Sequence, residues 1–194
     1  MKHLVHLPLI VLTAAMAAGC ASAPSRFYTL NATATGEGAS QANFAVVVRP
    51  VTIPAEVDRP QFTIQMTQNQ VVVDEFNRWA EPLNSSIARV VAADLATLLG
   101  TPRVTSVPLA GFTPDYRVTI DIQKFVSEPG KMVRIDALWV VGKASGDTLS
   151  GHTVAGESVT DGSYDALAAA HSRALAKVSA DIAAVIRTAA AEKR

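Results

Sequence analysis

Hydrophobic and polar positions alternate most strictly between Tyr116 and Ile122. Tyr116, Val118, Ile120 and Ile122 are opposed by Arg117, Thr119, Asp121 and Gln123, the period-2 signature of a half-buried strand. Glu128-Pro129-Gly130-Lys131 predicts a turn, and Met132 to Val141 a second, longer strand with Val133, Ile135, Ala137, Trp139 and Val141 on one face. Ser145-Gly146-Asp147 turns the chain again into a weaker strand over Thr148 to Thr160, so this region reads as an antiparallel meander. Upstream, Phe44 to Val48 is apolar on both faces and predicts a central strand, ended by Pro50 and Pro54. Gln61 to Thr67 alternates with Phe62, Ile64 and Met66 on the inner side, and Gln68-Asn69 predicts a hairpin turn into Gln70 to Val73.

Two stretches carry the helical period instead. Leu83, Ile87, Val90, Val91, Leu95 and Leu98 recur at helical spacing after Pro82. Proline suits a first turn, where its missing N–H costs nothing, and Gly100 with Pro102 stops the helix. A short strand follows over Val104 to Val107. Ser163 caps a long alanine-rich helix whose buried stripe is Leu167, Ala174, Leu175, Val178, Ile182, Val185 and Ile186. Two amphipathic helices need a sheet to cover. The expected fold is therefore α+β, a two-layer sandwich of mostly antiparallel sheet under two helices, forming one domain over 44–190.

The first 20 residues follow another logic. Lys2 precedes an apolar run from Leu4 to Ala18, and small residues lead to Cys20. That is the anatomy of a signal peptide over 1–19, with an apolar core shorter than the roughly 20 residues a membrane span needs. Ala17-Ala18-Gly19-Cys20 resembles the lipobox of bacterial lipoproteins, with Ala17 where leucine is usual. The resemblance implies cleavage after Gly19 and covalent lipid on Cys20. One acyl chain binds a bilayer only marginally; the three chains usual on such a cysteine would hold effectively for good. Ala21 and Ser22 follow, and the absence of an aspartate there favours the outer membrane, facing the periplasm. Residues 20–43 read as a lipidated tether, a short aromatic segment (Phe27-Tyr28-Thr29-Leu30) and a flexible loop without large apolar residues over 31–43.

Removing 19 residues leaves 175, which suits one domain. Acidic and basic residues balance at 17 each, so no net field attracts nucleic acid. Cys20 is the only cysteine, so the mature chain forms no internal disulfide.

An enzyme needs a nucleophile, a base or a metal. The mature chain has two histidines: His152 in the weakest strand and His171 on or near the apolar stripe of the last helix, where a core role is the commoner one. No nucleophile elbow, phosphate loop or zinc motif is present. The pairs Asp74/Glu75 and Asp121/Asp136 could meet across a sheet, but solvated strand faces explain them more simply. These observations predict no catalytic residue, no metal and no cofactor other than the lipid on Cys20. One segment stands apart. Arg78-Trp79-Ala80-Glu81 sets an aromatic between opposite charges before a helix. Trp79 with Arg78 could form a cation–π contact or a protein-binding anchor; alternatively Trp79 closes the core and Arg78 pairs with Asp58 or Glu81.

Taken together, the lipobox, Tyr28-Thr29-Leu30, Arg49 to Pro54, Asp58-Arg59-Pro60-Gln61 and Arg78-Trp79-Ala80-Glu81-Pro82-Leu83 resemble the PqiC family of ABC-type transport auxiliary lipoproteins. Tyr116 to Phe125 and the final helix from Tyr164 fit its layout. The resemblance implies a non-enzymatic outer-membrane lipoprotein that accompanies mammalian-cell-entry (MCE) proteins, which form lipid-conducting rings or tubes from an inner-membrane permease. The implied role is to dock the distal end of such a tube, with phospholipid as cargo and envelope integrity as the outcome. Asp58, Arg59, Arg78, Trp79 and Glu81 are its motif positions, compatible with an interface and with holding the fold. A ring partner would favour a matching ring of copies. An autonomous lipid-binding lipoprotein is the alternative reading, and it requires an apolar cavity.

Overall fold

The computed structural model describes residues 23–36, 42–108 and 110–192. The expected signal peptide and Cys20 lie outside the described residues. In chain order the elements are β1 (Arg26–Tyr28), β2 (Val46–Val48), β3 (Gln61–Thr67), β4 (Gln70–Trp79), α1 (Leu83–Leu99), β5 (Val104–Thr105), β6 (Tyr116–Glu128), β7 (Met132–Lys143), β8 (Thr148–Ser158) and α2 (Tyr164–Ala191). The fold is α+β. A five-stranded sheet runs β5-β2-β6-β7-β8, and a separate three-stranded sheet runs β1-β4-β3. Both helices pack on the larger sheet, α1 over β2 and β5, α2 over β7 and β8.

The meander forms as its alternation requires: β6–β7 and β7–β8 are antiparallel throughout. A bulge after Ile122 leaves Gln123 and Lys124 both exposed and returns Phe125 and Ser127 to the inner face. Positive φ at Gly130 and Gly146 closes the two turns. Trp139 lies across from Gly151, where an added Cβ would sit 2.2 Å from the indole ring. The Trp139 indole N–H donates to Thr153 Oγ1 (3.0 Å), whose hydroxyl donates to Asp181 of α2 (2.7 Å).

Helix α1 starts after Pro82 and ends on Gly100 in the left-handed conformation, whose N–H reaches back to the Ala96 and Thr97 carbonyls. Ser163 caps α2 by accepting the Ala166 N–H. The expected stripe of α2 is buried except Val185, which is half-buried.

Three expectations need correction. The expected single sheet is divided in two, and β2, expected as a central strand, pairs parallel with both neighbours. Met66, expected inward with Phe62 and Ile64, is exposed because the hairpin projects past the core. Residues 31–36 carry no helix or strand, yet they are pinned rather than loose. Leu30 is fully buried, Asn31 N–H donates to Ser172 Oγ (3.1 Å), and the Thr33 and Ala34 N–H groups donate to Asp94 (3.0 and 2.9 Å). The N-terminal arm thus crosses between α1 and α2, and its β1 adds to the small sheet parallel to β4.

Candidate functional site

The two chain segments singled out by sequence meet at one cleft of about 280 Å³. One wall is the loop Asp58-Arg59-Pro60; the other is Trp79-Ala80-Glu81-Pro82-Leu83, the corner between β4 and α1. The loop is built locally. Val57 is buried, and the Pro54 carbonyl accepts the N–H groups of both Val57 and Asp58. Pro60 O then accepts the Trp79 N–H at 2.7 Å, and Tyr28 O accepts the Ala80 N–H at 2.9 Å. Two bonds from separate parts of the chain therefore fix the corner.

Trp79 is buried at the base of the cleft. It stacks on Phe62 at 4.0 Å between ring centroids and presents an edge to Phe125 and His171. Arg78 does not lie over this ring. Its Nε donates to Glu75 O (2.8 Å) and its guanidinium sits 3.8 Å from the Glu75 carboxylate. The expected pairing of Arg78 with Asp58 or Glu81 is absent. Glu81 instead accepts from Arg89, nearly two turns into α1 (Nε, 3.2 Å), and Arg89 also donates to Leu30 O (3.1 Å). Glu81 is thereby committed to tying α1 to the N-terminal arm. Asp58 and Arg59 are exposed, and neither joins an ion pair among the described residues. The cleft so formed is lined by Pro60, Pro82, Leu83 and the Trp79 indole, with the exposed charges of Asp58 and Arg59 and the Arg89-paired Glu81 beside them.

The remaining candidates separate in space. His171 is fully buried, stacks on Phe125 at 3.8 Å, and shares a hydrogen bond of 2.8 Å between Nε2 and Ser127 Oγ. Burial drives its pKa down to about 3, so the ring is neutral. His152 is exposed on the open face of the large sheet with Nε2 2.7 Å from Asp136 Oδ1. The register sets Asp136 against Lys124 and Asp121 against Leu138, so the two aspartates are not partners. Asp74 forms a turn with Phe76 and Asn77 N–H (2.8 Å each) and accepts from Tyr164 Oη (2.6 Å). Burial pushes its carboxyl up, but these hydrogen bonds outweigh it and hold the pKa at about 2. Among the described residues no group of three or more His, Cys, Asp or Glu could hold a metal ion, and no helix is long and apolar enough to cross a membrane.

Sequence reasoning missed Asp94. It is fully buried, receives the arm through Thr33 and Ala34, and accepts from Ser179 of α2 (3.3 Å). Its one signal was a charge inside the α1 stripe, between Val91 and Leu95.

The sequence profile of ABC-type transport auxiliary lipoprotein components matches residues 28–183, from the aromatic of β1 to the last third of α2. The chain belongs to this family. The match takes in the arm, the cleft and both helices. In fold the auxiliary lipoprotein is similar to a Xanthomonas campestris protein of the DUF330 family, with 17% identity over 87% of this chain and 100% of that one and a TM-score of 0.72. The crystal structure of a second, uncharacterized protein is similar at 21% identity over 84% of this chain and 99% of that one, TM-score 0.71. These likenesses show the fold. PelC from Paraburkholderia phytofirmans, solved as a dodecamer, aligns at 13% identity over 77% and 90% of the two chains with a TM-score of 0.42, too slight a likeness to bear on function. No curated protein matches the sequence.

Proposed function

We propose that this auxiliary lipoprotein is a non-enzymatic docking subunit, anchored by lipid on Cys20 to the outer membrane and facing the periplasm, for an MCE-type lipid-transport system fed by an inner-membrane permease. The observation that carries the reading is the cleft beside Trp79. The Asp58-Arg59 loop and the Trp79-Ala80-Glu81 corner come together there, and Asp58 and Arg59 are left exposed while Glu81 and Trp79 are committed to the fold. A rigid apolar floor with free charges at its rim suits a protein partner.

The alternative, an autonomous lipid carrier, has less support. The cleft of about 550 Å³ at the far end of α2 has a mainly apolar lining that includes Phe44, Tyr116 and Ala189, but Asp115, Lys143, Asp147 and Glu192 stand among them. Charges there would be desolvated by an acyl chain.

The test is a pull-down from detergent-solubilised envelopes with a C-terminally tagged protein, read by mass spectrometry. Recovery of an MCE protein, lost with Asp58→Ala/Arg59→Ala, supports docking at the cleft. Cys20→Ala separates membrane placement from direct contact. Recovery of the lipoprotein alone with bound phospholipid would transfer the assignment to the carrier.

A further inference from the structure

Exposed apolar side chains gather on the β3–β4 hairpin and on β1 beside it. Phe27 is 63% exposed, Met66 53%, Val71 and Val72 45% each, and Phe76 43%. The inner row of β3 runs Phe62, Ile64, Met66: the first two are buried and the third stands in solvent. Val72, paired with Ile64, shares that face, while Val71, paired with Gln65, lies on the other. The tip is thus apolar on both faces, which a sheet awaiting one further layer is not. From Gln61 to Val73 there is no charged residue. The polar side chains at the tip are the neutral Gln65, Thr67, Gln68, Asn69 and Gln70.

The position of the chain's N-terminal part says what meets this tip. β1 runs parallel to β4 with Arg26 beside Asn77, so the chain preceding Arg26 arrives from the hairpin side. Cys20 lies six residues before Arg26, a reach of about 20 Å at most. From Asn77 back to Gln70 is about 23 Å along a straight strand, shortened here because Glu75 to Asn77 bulge out between the Phe62–Asp74 and Gln61–Arg78 pairs. Lipid on Cys20 and the hairpin tip can therefore lie at one level.

We propose that the β3–β4 tip enters the interfacial layer of the bilayer that holds the lipid anchor. The occupant of this apolar surface is the phospholipid surface itself. The inference rests on the lipoprotein reading of Cys20. Neutral amides and hydroxyls keep hydrogen bonds with headgroups and water while Met66, Val71 and Val72 leave water, and no charge has to be desolvated. This second contact orients the domain. β4 runs from the tip to Trp79, so the Asp58–Trp79 cleft points away from the bilayer, toward a partner arriving from the periplasm.

The test uses mature protein reconstituted into vesicles of phosphatidylethanolamine and phosphatidylglycerol. Cys20, the only native cysteine, is blocked by its lipid, so Val71→Cys can carry a single nitrobenzoxadiazole fluorophore. Ser145→Cys, in the turn at the far end of α2, is the control. Co-flotation with vesicles reads the anchor, and quenching by headgroup-proximal spin-labelled lipid reads the tip. The expected result is flotation of both proteins, with blue-shifted and lipid-quenched emission at position 71 and aqueous, unquenched emission at 145. Flotation with an aqueous, unquenched label at 71 overturns the tip contact and leaves the anchor standing. Shielding at 71 without lipid quenching means that protein covers the hairpin, which also overturns it. Failure to float, with unmodified Cys20 by mass, overturns the anchor and the inference together.

Discussion

The buried carboxylate of Asp94 accepts the backbone N–H of Thr33 at 3.0 Å. One side chain in the middle of α1 thereby holds a segment 61 residues upstream, and the same carboxylate takes the Ala34 N–H and the Ser179 hydroxyl. Burial pushes its carboxyl above the ordinary 3.8, and the bonds from Ala34, Thr33 and Ser179 pull the other way. With the net shift upward, the folded state holds the Asp94 proton more tightly than the unfolded chain. Its contribution is greatest below 3.8 and falls as pH rises through the raised value. Asp94→Asn keeps an acceptor for the arm and removes this dependence, which urea unfolding at stepped pH would reveal as a flatter slope. Asp94→Ala removes the acceptor of the part-buried Thr33 and Ala34 N–H groups and should cost about 1–3 kcal/mol in all.

His171 gives a dependence of opposite sign. Its pKa falls to about 3 through burial, so stability is complete above about 6.5 and is lost as pH drops, by about 1.4 kcal/mol per unit. The double variant His171→Leu/Ser127→Ala removes both partners of the buried hydrogen bond and should erase this loss between pH 6.5 and 3. Persistence of the same acid limb in thermal melts would refute the assignment.

A third expectation concerns Gly151. The Cβ of alanine would stand 2.2 Å from the Trp139 ring, so Gly151→Ala must push the indole off its place. Overpacking of this kind costs about 1–3 kcal/mol. Adding Trp139→Leu should make the Gly151 substitution nearly neutral relative to Trp139→Leu alone, a coupling readable in a double-mutant cycle.

Trp79 and the charges beside it should separate fold from contact. Trp79→Ala empties the stack on Phe62 and should cost about 3–5 kcal/mol of stability. Asp58→Ala/Arg59→Ala alters two exposed side chains and should leave the denaturation midpoint within about 0.5 kcal/mol of wild type while weakening partner capture. A large stability loss in that double variant would make the loop structural.

Local patterns carried much of the fold. The Tyr116–Ile122 alternation, the Gly130 turn and the Ser163 cap each need only neighbouring residues to be read. β4 was legible only to Val73, because Asp74 captures the Phe76 and Asn77 N–H groups and the bulge breaks the period before Trp79. The three-residue β1 has too few positions to show a period at all. At the cleft, the residue types of Asp58, Arg59, Trp79 and Glu81 were legible, but their partners were not. Arg78 turned to Glu75 and Glu81 to Arg89, choices set by backbone direction at the corner.

By itself the sequence determined the α+β class, both helices with the Gly100 stop and the Ser163 cap, the meander and the auxiliary-lipoprotein family, since each depends on periodicity, turn chemistry or motif order within short stretches. Only the tertiary structure decided that the sheet splits in two, that β1 and β2 pair in parallel, that the arm is bound by Asp94, and that two distant segments share one cleft. Those are non-local pairings. Their free energy comes from contacts that exist only once loops of dozens of residues have closed, and no local period encodes which partner will be met.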